Sequence, residues 1–539
     1  QEDETSLIYK SDVKVTISIL KNIYILLNHK ISMKKSNWLV IGILILVAII
    51  ILAFLYYKNT VGFSPTDEPP YALKWEIRLP QGVISTGHKG ATLGDIDNDG
   101  DLEAVISLNG VPPELIALDN KGNRLWTITT PGYVVDNPAL GDLDGDGDLE
   151  IVTASDNYLQ ARNGQGVLLW SFQTSPYYAS IDGGPALADL DNDGRLEIVV
   201  GTIQTGMSAN HGNTAYVLNY DGSLRWSYKF PAGNLSYQYG IQYANPVIED
   251  LDGDGNFEIL VASDEMLYSF DRNGNVDWTY NASKWEPSRI SATPAVADFD
   301  SDGKKEIVLG SSSKDKWLDL PNTNSSRNLT RLFWTNTSII MLNNDGVVRW
   351  EIPWKGEAIS TTPVIADLDN DGRLEIVVGT SKINPDPEDV GRPTPVLSAL
   401  TKDGKVLWGF IPSGTLQTWV YNGDLAIADT NGDGYLEVLL AAPYPGNAPA
   451  GGKLFSINYK GELLWDYDVS APRPFGPPVV GDIDNDGRLD IVFGTATYDG
   501  GPLPKIIALT QAESVVNEDT NPWPMFAQNL RRTSFYRRV

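Results

Sequence analysis

The chain has 539 residues, with 41 basic and 69 acidic side chains, a formal charge of −28, no cysteine and three histidines. That acidity opposes nucleic acid and anionic lipid surfaces, and the missing cysteines exclude disulfides, thiolate metal sites and thiol nucleophiles. Fifteen Trp, 24 Tyr and 14 Phe among 50 Gly and 33 Pro point to short strands joined by turns, not to disorder.

Residues 1–37 form an N-terminal segment rich in Ile, Lys and Asn, and Met33-Lys34-Lys35 has the look of a start, so the stretch upstream of Met33 reads as a mis-assigned extension. Residues 38–55 read WLVIGILILVAIIILAFL without one charge, and Tyr56 and Tyr57 follow. A run of that length crosses a bilayer, with Trp38 and the tyrosines as interfacial anchors. The expectation is an uncleaved signal anchor over 38–57, because no small-residue cleavage site follows. Lys30, Lys34 and Lys35 precede it and only Lys58 closely follows, which puts the N-terminus in the cytoplasm and the rest outside the cell membrane. Residues 58–70, ending in two prolines, read as a linker.

From residue 71 to the end the chain repeats. An acidic motif starts at Asp95, Asp142, Asp189, Asp250, Asp298, Asp367, Asp429 and Asp482, at spacings of 47, 47, 61, 48, 69, 62 and 53 residues. Each copy leads into a β-branched run, and a Trp-bearing strand recurs at Trp75, Trp126, Trp170, Trp226, Trp278, Trp350, Trp408 and Trp465. One unit reads as four antiparallel strands, GPALADL, LEIVVGT, AYVLNY and SLRWSY, with a tight turn at Asp221-Gly222. The first Trp strand precedes any acidic motif, and the last motif has no Trp strand after it. The predicted fold is therefore all-β, an eight-bladed β-propeller in which the first strand completes the last blade and removes the free edges.

Positions 1, 3, 5 and 9 of each acidic motif supply side-chain oxygens, position 6 is Gly, and position 7 offers a backbone carbonyl. The eight sets are Asp95, Asp97, Asp99, Asp101 and Glu103; Asp142, Asp144, Asp146, Asp148 and Glu150; Asp189, Asp191, Asp193, Arg195 and Glu197; Asp250, Asp252, Asp254, Asn256 and Glu258; Asp298, Asp300, Asp302, Lys304 and Glu306; Asp367, Asp369, Asp371, Arg373 and Glu375; Asp429, Asn431, Asp433, Tyr435 and Glu437; and Asp482, Asp484, Asp486, Arg488 and Asp490. Hard oxygen donors at this spacing wrap Ca²⁺ better than Mg²⁺, which demands a stricter octahedron. Carboxylates crowded within nine residues also repel one another unless a cation joins them. Eight divalent ions would carry 16 positive charges and bring the formal charge from −28 to −12. Asn431 should weaken the seventh site, and Lys304 and Lys305 the fifth.

These motifs resemble those of FG-GAP and VCBS repeat proteins, propeller repeats also found in integrin α chains, over about residues 71–510. The resemblance implies a propeller and up to eight Ca²⁺ ions. The Trp strands and the ending Trp523-Pro524-Met525-Phe526 are similar to quinoprotein-like propellers, although the adjacent Cys pair associated with quinone-cofactor enzymes is missing. Integrin propellers have seven blades, so their ligand sites are not carried over.

The acidic loops and the Asp-Gly turns should share one face of the ring. Long insertions fall on the other, with Tyr177, Tyr178, Tyr237, Tyr239, Tyr243, Trp285, Trp317, Trp334, Trp419, Tyr421 and Tyr444 among them. Exposed aromatics suit sugar stacking or protein contacts, whereas the strand Trp residues suit packing between blades. Sequons stand at Asn234, Asn281, Asn324, Asn328 and Asn336, fitting a glycoprotein. No catalytic constellation joins Asp182, Lys284, Arg289 and Lys355. The expected function is that of a non-catalytic, membrane-anchored, calcium-stabilised propeller that binds a protein or glycan, in adhesion at the cell surface. A polysaccharide lyase built on the same propeller is the alternative.

Overall fold

The computed structural model describes residues 70–511, apart from 82, 175–179, 204–212, 232–243, 284–287, 291, 319–330, 356–360, 381–395, 413–424, 444–450, 470–472, 475 and 498–501. The chain divides into two units, Gln1–Pro69 and Pro70–Val539, and the described residues belong to the second. The apolar run at 38–57 lies outside them; among the described residues no helix is long and apolar enough to cross a membrane.

The described residues form eight blades of antiparallel strands, numbered here by their acidic loops. Blade 3 shows the pattern: Ala186–Ala188, Glu197–Gly201, Thr214–Leu218 and Leu224–Lys229, hydrogen-bonded in that order. The second strand, EIVVG of Glu197–Gly201, is β-branched and wholly buried, while the outer Trp strand mixes half-buried and exposed positions. A strand buried on both faces reads as a continuous apolar run, and one at the rim reads as an alternation.

Blade 8 is assembled from both ends of the unit. Val479–Gly481, Asp490–Ala496 and Lys505–Gln511 are completed by Tyr71–Arg78, which pairs antiparallel with Lys505–Gln511 from Tyr71↔Gln511 to Arg78↔Lys505. The expected closure is thus present. A single pairing of Ser85 with Ala496 also ties blade 1 to blade 8.

The core lies between the blades. Apolar clusters join blades 1 and 2, 2 and 3, 3 and 4, 4 and 5, 5 and 6, then 6 through 8, and finally 8 and 1. Every blade therefore depends on its neighbours for burial, as stacked repeats do. The strand Trp residues fasten these joints. The indole N–H of Trp75 donates to the Asn120 carbonyl at 2.9 Å, Trp126 to Gly164 at 2.9 Å, Trp170 to Tyr220 at 2.8 Å, Trp226 to Arg272 at 3.1 Å, Trp350 to Lys402 at 2.7 Å and Trp408 to Tyr459 at 2.6 Å. Each acceptor sits in the tight turn of the next blade, so the indole both packs and hydrogen-bonds across the joint. Gly222 in one such turn has φ +79°, and a Cβ there would lie 2.6 Å from the Trp170 ring. Only glycine meets both demands.

Candidate metal centres

All eight acidic loops fold the same way, and their carboxylates hold the backbone. The position 1 carboxylate accepts from the N–H groups of positions 5 and 6, at 3.0 and 2.9 Å for Asp189 and equivalently in the other seven loops. The position 5 carboxylate accepts from the N–H of position 7 in every copy. The carboxylate at position 9, buried in every copy except the half-buried Glu258, accepts from the N–H of position 2, as Glu197 does from Leu190 at 2.9 Å, again in all eight. Position 6 is a glycine with φ between 84° and 97°, and position 4 also has positive φ, filled by Asn98, Gly145, Asn192, Gly253, Ser301, Asn370, Gly432 and Asn485. Asn and Gly tolerate that left-handed region best, so the Asn/Gly alternation at position 4 is a loop requirement that sequence reasoning had passed over.

The loops crowd negative charge. Burial, reinforced by the neighbouring aspartates, pushes the carboxyls of Glu103, Glu150 and Glu258 up to about 7, and those of Glu375 and Glu437 up to about 8. Burial likewise raises Glu197 to about 7, and raises Glu306 and Asp490. At position 3, burial and then Asp99 raise Asp97, and burial with Asp371 and Asp367 raises Asp369. Carboxyl oxygens of Asp95, Asp97 and Asp99, of Asp142, Asp144 and Asp146, and of Asp250, Asp252 and Asp254 lie within 4.8 Å of one another in each group. Asp189, Asp191 and Glu197, and Asp298, Asp300 and Asp302, form further such groups. Asp369 Oδ1 is buried with no hydrogen-bond partner. An all-oxygen donor set, converging and electrostatically strained, fits a hard divalent cation.

The side chains at position 7 are turned to other partners. Arg195 lies over the Tyr220 ring at 4.5 Å, Tyr435 stacks on Tyr459 at 4.4 Å, and Asp148 accepts from Asn98 of the loop before it at 2.6 Å. Asn120 donates to Asp101, Asn256 donates to Asp254 at 3.0 Å, Arg488 pairs with Asp486, and Arg373 stands 3.6 Å from Asp371. In loop 7, Asn431 Nδ2 is 3.4 Å from Glu437 Oε1.

One expectation about cations is corrected. Lys305 does not address loop 5: its amine pairs with Glu249 of blade 4 at 2.7 Å, which lies before loop 4. Basic residues are nevertheless present in three loops, brought there by the Trp strands. Arg225 reaches Asp191 at 2.8 Å and Glu197 at 3.2 Å; Arg349 pairs with Asp300 and, at 2.7 Å, with Glu306; Lys74 reaches Asp484 at 2.6 Å and Asp490 at 2.9 Å. Hydrogen bonding from Arg349 holds the Asp300 carboxyl below its ordinary value, opposite to Asp97 and Asp369. These three cations were invisible to a search along the sequence near each loop.

Acidic loops and tight turns share a face, as expected. Loop 4, the turn residues Asp271–Asn273 of its own blade, and Asn344 and Asp345 of the next blade's turn line one cavity of about 440 Å³. The aromatic side chains expected on the other face, and Lys284 and Lys355, lie outside the described residues or carry no described side chain. Asp182 is buried, Arg289 is half-buried, and Asn281 is exposed at the end of Val276–Asn281.

The fold and its loops define an eight-bladed β-propeller with one acidic loop at the same turn of every blade. Residues 142–200, 250–309 and 429–493 match the FG-GAP-like repeat family, each stretch running from one acidic loop through the next, so the propeller carries FG-GAP-like repeats. No curated protein matches it in sequence. Among solved structures it is similar to the V. cholerae biofilm matrix protein Bap1, at TM-score 0.54 and 15% identity over 86% of this chain and 96% of that one. It also matches BamB from Moraxella catarrhalis, at 0.48 and 14% over 82% and 99%, and Bacillus licheniformis rhamnogalacturonan lyase PL11, at 0.43 and 15% over 85% and 97%. At these identities the likeness concerns the fold alone.

Proposed function

We propose that this chain is a membrane-anchored, calcium-stabilised propeller outside the cell that captures a protein or glycan through the face opposite its acidic loops. The observation that carries the reading is the repeated loop: a buried carboxylate bonded to the loop backbone, further carboxylates converging with it, and in blade 6 an unpartnered buried oxygen on Asp369. A bound divalent ion supplies the countercharge there, and the ring becomes a rigid mount. The acidic face is made of near-identical loops, which leaves selection of a partner to the variable insertions opposite. The uncharged run at 38–57 serves as the anchor. Bap1, whose fold is similar, is described as a biofilm matrix protein.

The test is a glycan array and a pull-down with the full-length chain, comparing wild type with the triple variant Trp285→Ala, Trp419→Ala, Tyr421→Ala. Capture should fall at least about tenfold, with calcium content and melting temperature unchanged. Equal capture by both proteins refutes the assigned face. Cleavage of a polysaccharide that the variant loses would make the protein a lyase instead.

A further inference from the structure

The eight Trp strands share an irregularity that decides what faces each acidic loop. In blade 3 Val217 pairs with Trp226 and Leu218 with Leu224, so Arg225 is an extra, unpaired residue: a β-bulge. The same register shift occurs immediately before the Trp in all eight blades. Bulges re-aim side chains. The bulged residues are Leu125, Leu169, Arg225, Asp277, Arg349, Leu407, Leu464 and, in the closing strand, Lys74.

We propose that Lys74, Arg225 and Arg349 take the place of the divalent ion in blades 8, 3 and 5, so that the chain carries five metal sites, in blades 1, 2, 4, 6 and 7. The inference rests on the calcium reading above and divides it blade by blade. All three cations bridge the same two positions of their loops, 3 and 9: Asp484 and Asp490, Asp191 and Glu197, Asp300 and Glu306. Those are the carboxylates that a Ca²⁺ ion needs, and a cation already within about 3 Å of them would repel a second one strongly. Proximity of the oxygens alone does not separate the two kinds of loop, since loops 3 and 5 are as converged as loops 1 and 2. The bulge does. Among the described residues, no Lys or Arg pairs with position 3 or 9 in the other five blades, where the bulge holds a leucine or Asp277. Asp277 lines the loop 4 cavity together with Asp252, Asp254 and Glu258, so the bulge gives blade 4 a fifth carboxylate, where Asn256 stands at the position that supplies one in loops 1 and 2.

The full-length protein, metal-depleted and titrated with Ca²⁺ alone, should bind about five equivalents by equilibrium dialysis and native mass spectrometry. Arg225→Leu, which copies blade 2 into blade 3, should raise the count to six; Leu169→Arg, the reverse copy, should lower it to four. Without metal, Arg225→Leu should lower the melting temperature and Leu169→Arg should raise it, because each acidic loop has lost or gained its countercharge. Arg349→Leu serves as a second removal if Arg225→Leu fails to fold. Eight equivalents in the wild type, or counts unmoved by both variants, overturn the proposal and leave the calcium reading intact. No uptake by folded wild type overturns the calcium reading, and melts unmoved by the variants then overturn the countercharge role separately.

Discussion

Blades 4 and 8 have the same four strands and the same acidic loop, yet they are built from opposite kinds of sequence. Blade 4 is contiguous, from Val247 to Asn281, and its bulge holds the acid Asp277. Blade 8 takes three strands from the end of the unit and one from its start, and its bulge holds Lys74, which lies 416 residues from its partner Asp490. The closing strand therefore does two jobs: it covers the edge of Lys505–Gln511, and it neutralises loop 8. Blade geometry is thus a local property, whereas ring closure and loop charge are set by distant pairs.

The largest test of that difference is removal of residues 71–79. It strips the edge of blade 8 and takes away Tyr71, Lys74 and Trp75, and the loss should exceed the ~3 kcal/mol expected of one Trp. A truncated protein that melts with the intact one would refute the closure. Next in size, Trp75→Ala and Trp226→Ala should cost about 2–3 kcal/mol each, since both indoles are half-buried and dock on the following blade's turn. Chemical denaturation should find the two equal; a much larger cost at Trp75 would mean that closure is weaker than the other joints.

Smaller, and opposite in sign, are the effects at the two bulges in metal-free protein. Lys74→Leu leaves the buried Asp490 without its cation and should destabilise by about 1–3 kcal/mol. Asp277→Leu removes a carboxylate whose protonated form is favoured by burial and by Asp271 and Asp252, and should raise the melting temperature slightly. Added Ca²⁺ should reverse the order for Asp277→Leu, because the lost carboxylate then costs a ligand.

The smallest effect is in the pH profile. Glu258 has an ordinary value of 4.5 and stands at about 7 in the fold, so its protonated form is favoured on folding. That contribution is complete below about pH 4.5 and is lost as pH rises to about 7. Metal-free protein, with its metal content checked by mass spectrometry, should melt lower at pH 7.5 than a Glu258→Gln variant, and the gap should close by pH 5. Excess Ca²⁺, which favours the carboxylate, should cancel the variant's advantage.

The chain's own order of residues determined the eight repeats, the four strands of each, the closure by Tyr71–Arg78 and the carboxylate positions of every loop, because each follows from short-range patterns: apolar runs, Gly turns and a nine-residue spacing of acids. Position 4 of the loops was written there too, as Asn or Gly in seven copies and Ser301 in the fifth, but its meaning depends on φ, which composition does not display. Only the tertiary structure decided which loops hold a countercharge of their own. Arg225 lies 34 residues after Asp191, Arg349 lies 49 after Asp300, and Lys74 lies before every loop. A bulge in the outer strand brings each to its two carboxylates, and the register of pairing, not distance along the chain, fixes that encounter.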